Sequence, residues 1–244
     1  MHKNDNSNIF KFLKKNKTFI DKNIKIYLNK LNTPSEIKKI MFYAVLGGGK
    51  GIRPFLLTET AKIYGVKPAL YIFPSMAVEL AHCFSLIYDD LPCMDNDELR
   101  RGKPTVHMAF NEANALLGGA SLLVYAFKLL TLKDFRIKND NKLKILNDFS
   151  DVIGAEGVLA GQYLDLEAEK KDYLLTMKKY KNIQEKKTSL LLAFCTRTAG
   201  ILGGANTKEQ EDLYEIGLLI GRIFQTKDDI LDLEGTEKEM GKRV

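Results

Sequence analysis

Three observations in the sequence predict an all-α protein, a single-domain helical bundle. Apolar residues recur at threes, fours and sevens, first in the run that contains Ile20, Ile24 and Leu28. No stretch alternates convincingly between apolar and polar residues, so no strand is predicted. Glycine, asparagine and proline separate several helical stretches, but no change of composition or low-complexity linker divides the 244 residues into two domains.

The same spacing predicts the order of the helices. A first amphipathic helix reaches Leu31, and Pro34 marks the first turn of a second helix that ends before Gly47. Further helices are expected at about residues 54–64, 73–91, 109–131, 142–169, 173–180, 185–202 and 207–233.

The composition favours a cytoplasmic protein. Lys and Arg number 37 against 31 Asp and Glu, a formal charge of +6, and the lysines are scattered as on a solvated surface, so no nucleic-acid partner is expected. Three cysteines without a CxxC pair fit a reducing compartment. No apolar run approaches the about 20 residues that a membrane span requires, so no integral membrane segment is expected. The N-terminus lacks the apolar segment of a secretory signal.

Two groups of acids are candidates for metal binding. Asp228 and Asp232 are four residues apart and share one helix face, where like charges repel unless water or a cation separates them. Such a pair alone is common on solvated helices. Asp89 and Asp95 follow an apolar helix, and Pro92 between them ends or kinks that helix and lets Asp95 turn back toward Asp89. Carboxylates in this arrangement suit Mg²⁺ together with phosphate.

Basic residues lie near these acids in the sequence. Arg100 and Arg101 form a loop cluster that suits phosphate binding, although a surface salt-bridge patch has the same appearance. The glycine-rich segment 47–54, GGGKGIRP, allows close approach of a ligand to the backbone but lacks P-loop spacing. His82, two turns before Asp89, fits a core residue and a ligand about equally well.

Together these residues resemble the trans-prenyltransferases, the family of farnesyl and geranylgeranyl diphosphate synthases, over roughly residues 40–244. Residues 85–105, SLIYDDLPCMDNDELRRGKPT, are similar to the first aspartate-rich motif of the family with its arginine pair. GGGKGIRP resembles the family's GGK-x-x-RP, and Lys187-Thr188 resembles its KT motif. Phe224-Gln225 followed by DDILD resembles its second aspartate-rich motif.

The resemblance implies the isoprenoid synthase fold, a helical bundle around a central cavity, and a role for each matching residue. Three Mg²⁺ ions per active site would be bound by acids of the two motifs: Asp89, Asp90, Asp95, Asp228 and Asp232. An allylic diphosphate would be held by three cationic residues: Arg100, Lys187 and Lys242. Isopentenyl diphosphate would be held by Lys50, Arg53, His82 and Arg101. Thr188 and Gln225 would face the developing allylic cation.

The implied reaction is the head-to-tail condensation of isopentenyl diphosphate with dimethylallyl or geranyl diphosphate, by ionisation, condensation and elimination. Phe84 and Ser85, one turn or more before Asp89, lie about 6–7.5 Å deeper along the helix. An aromatic residue at position 84 is typical of bacterial farnesyl diphosphate synthases, so a C15 product is favoured and a C20 product is the alternative. Phe84 could instead be a packing residue.

Three positions depart from the family pattern: Gly51 and Ala120 stand where a basic residue and an aspartate are usual, and Tyr88 replaces a histidine. A class I terpene cyclase is disfavoured by DDILD and by Lys50 and Arg53. A non-catalytic subunit is disfavoured because both aspartate motifs are intact. A homodimer is expected from the resemblance.

The resemblance also implies that the single domain, residues 1–244, lacks the C-terminal helices that follow the second aspartate motif in the family. The polar segment after Asp232 would leave apolar faces of the helix at 207–233 partly open to water. Lys242 would then lie in a frayed terminus.

Overall fold

The all-α prediction is confirmed by a computed structural model that describes residues 3–169 and 176–234, with the backbone alone at residues 3–7 and 231–234. In chain order the helices are α1 (Lys3–Asn29), α2 (Ser35–Leu46), α3 (Ile52–Ile63), α4 (Pro68–Asp89), α5 (Val106–Ala109), α6 (Glu112–Thr131), α7 (Asn139–Ile153), α8 (Val158–Glu169), α9 (Met177–Gln184), α10 (Leu190–Gly203) and α11 (Thr207–Glu234). A π-helical turn, Glu185–Ser189, joins α9 to α10.

The helix α4 lies at the centre of the bundle. It packs against α3, α6 and α10, and Met76, Ala77 and Leu80 are fully buried. A helix that is apolar on all sides is stable only when other helices surround it. The C-terminal end of α4 therefore carries its acidic residues into the interior of the bundle.

Three expectations about the elements are wrong. The segments β1 (Leu99–Arg100) and β2 (Lys103–Pro104) pair as a short antiparallel hairpin, where no strand was predicted. The helix expected at 142–169 is two helices, because the chain turns at residues 154–157. Gly157 has no room for a side chain there: a Cβ would lie 1.9 Å from the carbonyl oxygen of Val152. The helix expected at 109–131 is interrupted at Phe110 and Asn111, between α5 and α6.

The helix expected at 173–180 begins outside the described residues, and the structure places α9 at Met177–Gln184.

Among the described residues, two helices, α4 and α6, are long and apolar enough to cross a membrane by length and composition, a test that the core helices of other proteins also pass. Most of α4 is buried inside the bundle, which is typical of a core helix. α6 is less buried and exposes Leu117 and Val124.

Candidate active site

The first acidic group lies where α4 ends. The backbone N–H of Asp95 donates to the carbonyl oxygen of Asp89 at 2.9 Å, so the turn through Pro92 brings Asp95 back to the end of the helix. Burial raises the pKa of Asp89 to about 7, while Lys187 lowers it and Asp95 raises it. Burial likewise raises the pKa of Asp95, again against the effect of Lys187. Ionising both carboxylates is therefore costly, because burial disfavours the two negative charges and Lys187 offsets only part of that cost.

Asp90 faces Arg100. The Nε and Nη2 atoms of Arg100 lie 2.7 and 2.5 Å from Oδ1 of Asp90, and Nη2 lies 3.5 Å from Asp97. Burial raises the pKa of Asp90, and the hydrogen bond from Arg100 opposes that rise. Asp90 thus orients Arg100, whose charge also acts on Asp89.

The second arginine of the pair occupies the turn of the hairpin. Arg101 and Gly102 have φ angles of 55° and 73°, as a two-residue type I′ turn requires. Nη1 of Arg101 donates to the carbonyl oxygen of Gly48 at 2.8 Å. Gly49, with φ of +97°, lies against the guanidinium, and a Cβ there would be 2.6 Å from Cζ. The glycine-rich loop therefore wraps around Arg101.

Arg101 belongs to a basic cluster with Arg53 and His82. Arg53 is the more enclosed arginine: its Nε is buried without a hydrogen-bond partner in the described part of the chain. Burial lowers the pKa of Arg53, with Glu79 opposing. Burial, then Arg53 and Arg101, lower the pKa of His82 well below its ordinary value. Lys50 is exposed on the glycine-rich loop. A half-buried guanidinium whose Nε has no partner among the described residues, beside a second guanidinium, is an attractive site for an anion.

The π-helical turn presents Lys187 and Thr188. Nζ of Lys187 donates to Asp165 on α8 at 2.6 Å, and the charges of Asp89 and Asp95 also act on it. Two glycines allow neighbouring helices to approach this turn. A Cβ on Gly161 of α8 would lie 2.5 Å from the backbone nitrogen of Lys187, and one on Gly221 of α11 would lie 2.5 Å from Cα of Ser189. π-Helical turns occur often at functional sites.

Hydrogen bonds connect the π-helical turn to α11. The hydroxyl of Thr188 donates to Oε1 of Gln225 at 2.8 Å, and Nε2 of Gln225 donates to Asp229 at 3.0 Å. Asp228 follows Gln225 by three residues, so the two share one face of α11. The side chain of Asp232 and all of Lys242 lie outside the described residues.

An apolar cavity of about 210 Å³ adjoins the acids. Phe84, Ser85 and Asp89 line it from α4, and Val158, Gln162 and other residues of α8 line it from the facing side. The ring of Phe84 is buried and lies 4.6 Å, centroid to centroid, from that of Tyr88. Phe84 and Asp89 therefore face the same space, which the helix angle between them did not predict.

The departures from the family pattern leave this cleft intact. Ala120 lines a separate groove between α2 and α6. Gly51 has φ of +62°, and the stem of Lys17 lies over it, 2.8 Å from where a Cβ would be. Tyr88 packs against Gly119 and donates to the carbonyl oxygen of Leu116 at 3.3 Å.

Asp89 and Asp95 suit a metal ion whose remaining ligands are water and substrate oxygens. In the described part of the chain, no three His, Cys, Asp or Glu side chains could hold a metal ion by themselves. Asp89 and Asp95, however, are acids that burial makes costly to ionise, and they lie near one lysine. Mg²⁺ typically binds one or two carboxylates together with water and substrate phosphate, and this pair meets that requirement.

Several residues of the cleft were missed from the sequence. Nε2 of Gln162 lies 3.5 Å from Asp95, and Asp165 binds Lys187. On α9, Tyr180 and Gln184 donate to Asp229. These residues belong to no recognisable binding motif: Tyr180 lies among lysines of α9, and Asp165 precedes Glu167 and Glu169 on α8. The i, i+3 pair Gln162 and Asp165, which lies on one face in the more apolar first part of α8, was the signal that could have indicated two of them.

The sequence is similar to those of known proteins. A family model described as polyprenyl synthetase matches residues 34–244. The chain is 41% identical over 234 residues to farnesyl diphosphate synthase of Geobacillus stearothermophilus, covering 96% of this chain and 78% of that protein. It is 40% identical to geranylgeranyl pyrophosphate synthase 4 of Arabidopsis thaliana, covering 86% of this chain and 56% of that protein.

The fold is likewise similar to solved structures. The crystal structure of an FPP/GFPP synthase from Zymomonas mobilis superposes with a TM-score of 0.90 at 34% identity, covering 94% of this chain and 82% of the other.

Proposed function

Since the chain belongs to the polyprenyl synthetase family, we propose that it condenses isopentenyl diphosphate with dimethylallyl and geranyl diphosphates to give farnesyl diphosphate. One observation carries the proposal: two charged subsites of different composition adjoin each other at the end of α4. Asp89 and Asp95 lie beside Lys187, while Arg53 and Arg101 form a cluster in which cations predominate, with the buried Glu79 near them. A reaction between two diphosphates, one of which departs, needs both kinds of subsite.

The first subsite suits the allylic diphosphate. Asp89 and Asp95, with Asp228 and Asp232 of α11, would hold three Mg²⁺ ions, which supply the positive charge that stabilises the departing diphosphate. Asp90 orients Arg100, and Lys187 is held by Asp165, so two cationic side chains are fixed next to the acids. Lys242 would add a third. Thr188 and Gln225 present their polar groups to the developing cation.

The second subsite suits isopentenyl diphosphate without a metal ion. The Nε of Arg53 is a buried donor with no hydrogen-bond partner among the residues that the structure describes, and Arg101 is fixed by Gly48. His82 beside them stays neutral, since its pKa is lowered, and a neutral imidazole both donates and accepts. Lys50 lies at the exposed rim. The apolar walls of the cavity beside Asp89 would limit the access of water to the cation, and the departed diphosphate is the expected base for the final proton.

The length of the product depends on the cavity that receives the growing chain. Phe84, supported by Tyr88, occupies the wall of that cavity one turn below the acids, and Ser85 lies beside it. A bulky ring at this depth supports a C15 product over a C20 product. The similarity to farnesyl diphosphate synthase of G. stearothermophilus, over more of both chains than to the plant geranylgeranyl synthase, supports the same choice.

A turnover assay tests the proposal. The purified chain is incubated with dimethylallyl diphosphate, labelled isopentenyl diphosphate and Mg²⁺, and the products are dephosphorylated and separated by length. Farnesol is the expected main product, and EDTA or Asp89→Asn should abolish it while the circular dichroism of the variant stays helical. Turnover close to that of the wild type in both Asp89→Asn and Asp228→Asn would contradict the proposed site. A wild-type chain with no turnover at all would favour a non-catalytic subunit.

A homodimer in the cytoplasm completes the proposal. The groove of about 460 Å³ between α2 and α6 is lined mainly by apolar residues, among them Met41, Leu117 and Val124. An apolar surface of this kind on a helix that is only partly buried supports self-association. Sedimentation of the purified chain, compared with a Val124→Glu variant, tests this part.

A further inference from the structure

The carboxylate of Asp229 accepts hydrogen bonds from three side chains. The hydroxyl of Tyr180 donates to Oδ2, and Nε2 of Gln184 donates to the same oxygen at 2.6 Å. Nε2 of Gln225 donates to Oδ1 at 3.0 Å. An ionised carboxylate offers about four acceptor positions, so three of them are occupied by the protein itself. Asp229 therefore has little capacity left for a cation.

These bonds come from two helices, Tyr180 and Gln184 from α9 and Gln225 from α11. Hydrogen bonds to an ionised acceptor are shorter and stronger than those between neutral groups. The carboxylate of Asp229 therefore joins α9 to α11.

Asp229 is connected to the cleft through Gln225. The same amide that donates to Asp229 accepts from Thr188 at 2.8 Å, so both ends of the Gln225 side chain are bound. Gln225 and Asp228 share a face of α11. Closer to the start of α11, Gly221 lies against Ser189, about 12 Å along the helix from Asp229. The bonds at Asp229 are therefore a separate attachment that sets the rotation of this end of α11.

We propose that Asp229 is a positioning residue, held by Tyr180 and Gln184, that orients Gln225 toward Thr188 and Asp228 toward the acids of α4. The inference rests on the proposed function, because it assigns Asp229 and α9 to the binding of the allylic diphosphate. The basic cluster of Arg53 and Arg101 belongs to other elements and does not depend on α9.

The test removes one hydroxyl. Tyr180→Phe is compared with Tyr125→Phe, which also loses a tyrosine hydroxyl hydrogen bond, to the carbonyl oxygen of Tyr27 at 2.9 Å, but on α6 away from the cleft. Calorimetry measures the binding of an unreactive thiolo analogue of geranyl diphosphate in the presence of Mg²⁺, and steady-state assays give KM for each substrate. Tyr180→Phe should weaken the analogue and raise the allylic KM about tenfold. KM for isopentenyl diphosphate should stay within about twofold, and Tyr125→Phe should change neither.

A double-mutant comparison tests the mechanism. If Tyr180 acts through Asp229, adding Tyr180→Phe to Asp229→Asn changes the affinity for the analogue no further than Asp229→Asn alone. The inference would be overturned if the losses of affinity in the two single variants multiplied in the double variant. It would also be overturned if Tyr180→Phe bound the analogue as well as Tyr125→Phe does, or if it raised KM for both substrates equally. If Tyr180→Phe does not fold, Gln184→Met, which removes another donor to the same oxygen, takes its place in every comparison.

The two levels of failure are distinguishable. A wild-type chain without turnover would contradict the proposed function and this inference with it. An active wild type with an unaffected Tyr180→Phe variant would contradict the inference alone.

Discussion

The guanidinium of Arg101 donates a 2.8 Å hydrogen bond to the carbonyl oxygen of Gly48, which lies 53 residues earlier in the chain. Arg101 has a φ of 55°, a conformation that costs a non-glycine residue about 1–2 kcal/mol. Gly48 and Gly49 also have positive φ. Arg101 thus adopts an unfavourable backbone conformation, and two glycines adopt one open to them, where a guanidinium lies beside Arg53. Such a conformation is typical of a functional site.

We expect Gly49→Ala to impair the basic cluster selectively. Its Cβ would lie 2.6 Å from Cζ of Arg101 and would displace the guanidinium. KM for isopentenyl diphosphate should rise at least about tenfold, which corresponds to about 1.4 kcal/mol, while the allylic KM changes little. Gly65→Ala is the comparison, because Gly65 also has a positive φ, +67°, but no atom of the described residues lies within 4 Å of the added methyl group. If KM for isopentenyl diphosphate rises equally in both variants, the rise comes from backbone strain and not from displacement of Arg101.

Much of this arrangement follows from local sequence. Pro92 predicted the turn that returns Asp95 to Asp89, and the backbone bond at 2.9 Å confirms it. The hairpin was missed although Arg101-Gly102 between Arg100 and Lys103 is a plausible two-residue turn. Its strands of two residues are too short to show alternation.

A local close contact and tertiary contacts account for the rest. The break at 154–157 depends on the close approach of Gly157 to the carbonyl oxygen of Val152, five residues earlier, which helical periodicity does not report. Tyr180 and Asp229 are 49 residues apart and meet only when α9 and α11 pack. The hydrogen bonds of such polar residues depend on which helices pack together, so the sequence alone did not distinguish these residues from others on a solvated helix face.

Gly161→Ala should displace the π-helical turn. The added Cβ would lie 2.5 Å from the backbone nitrogen of Lys187, and a backbone atom moves less readily than a side chain. We expect kcat to fall at least about tenfold, together with a loss of about 1–3 kcal/mol in the free energy of unfolding. Gly118→Ala is also overpacked, against Cγ2 of the core residue Ile40 at 2.3 Å. It should lose similar stability in urea titrations yet keep its kcat; a parallel loss of kcat would contradict a specific role for Gly161.

Phe84→Ala should lengthen the product. Removing the ring enlarges the 210 Å³ cavity directly below Asp89, so a C20 chain becomes possible. Loss of a buried phenylalanine also costs about 3–5 kcal/mol. The comparison is Phe127→Ala, which removes a ring that packs on Phe149 away from this cavity. Chromatography of the dephosphorylated products should show geranylgeraniol for Phe84→Ala and unchanged farnesol for Phe127→Ala. An unchanged product in both would make Phe84 a packing residue.

Asp89 should reduce the stability of the metal-free protein at high pH. Burial raises its pKa from 3.8 to about 7 in the folded state. A group whose pKa is raised on folding contributes stability fully below its unfolded pKa, and that contribution is lost as the pH rises through the folded value. The window of loss is therefore about pH 4 to 8, since the ionised carboxylate is poorly solvated beside Asp95.

Asp89→Asn removes this titration and should stabilise the metal-free chain relative to wild type. The gain in the free energy of unfolding should be small at pH 5 and reach about 1–3 kcal/mol at pH 8, after allowance for solvent screening. Urea titrations in EDTA at several pH values measure it, and Asp151→Asn, on an exposed aspartate, should show no such trend. A gain that is equal at pH 5 and pH 8 would contradict the assignment. Added Mg²⁺ and inorganic diphosphate should reverse the order, because binding stabilises the wild type and the variant has lost a ligand.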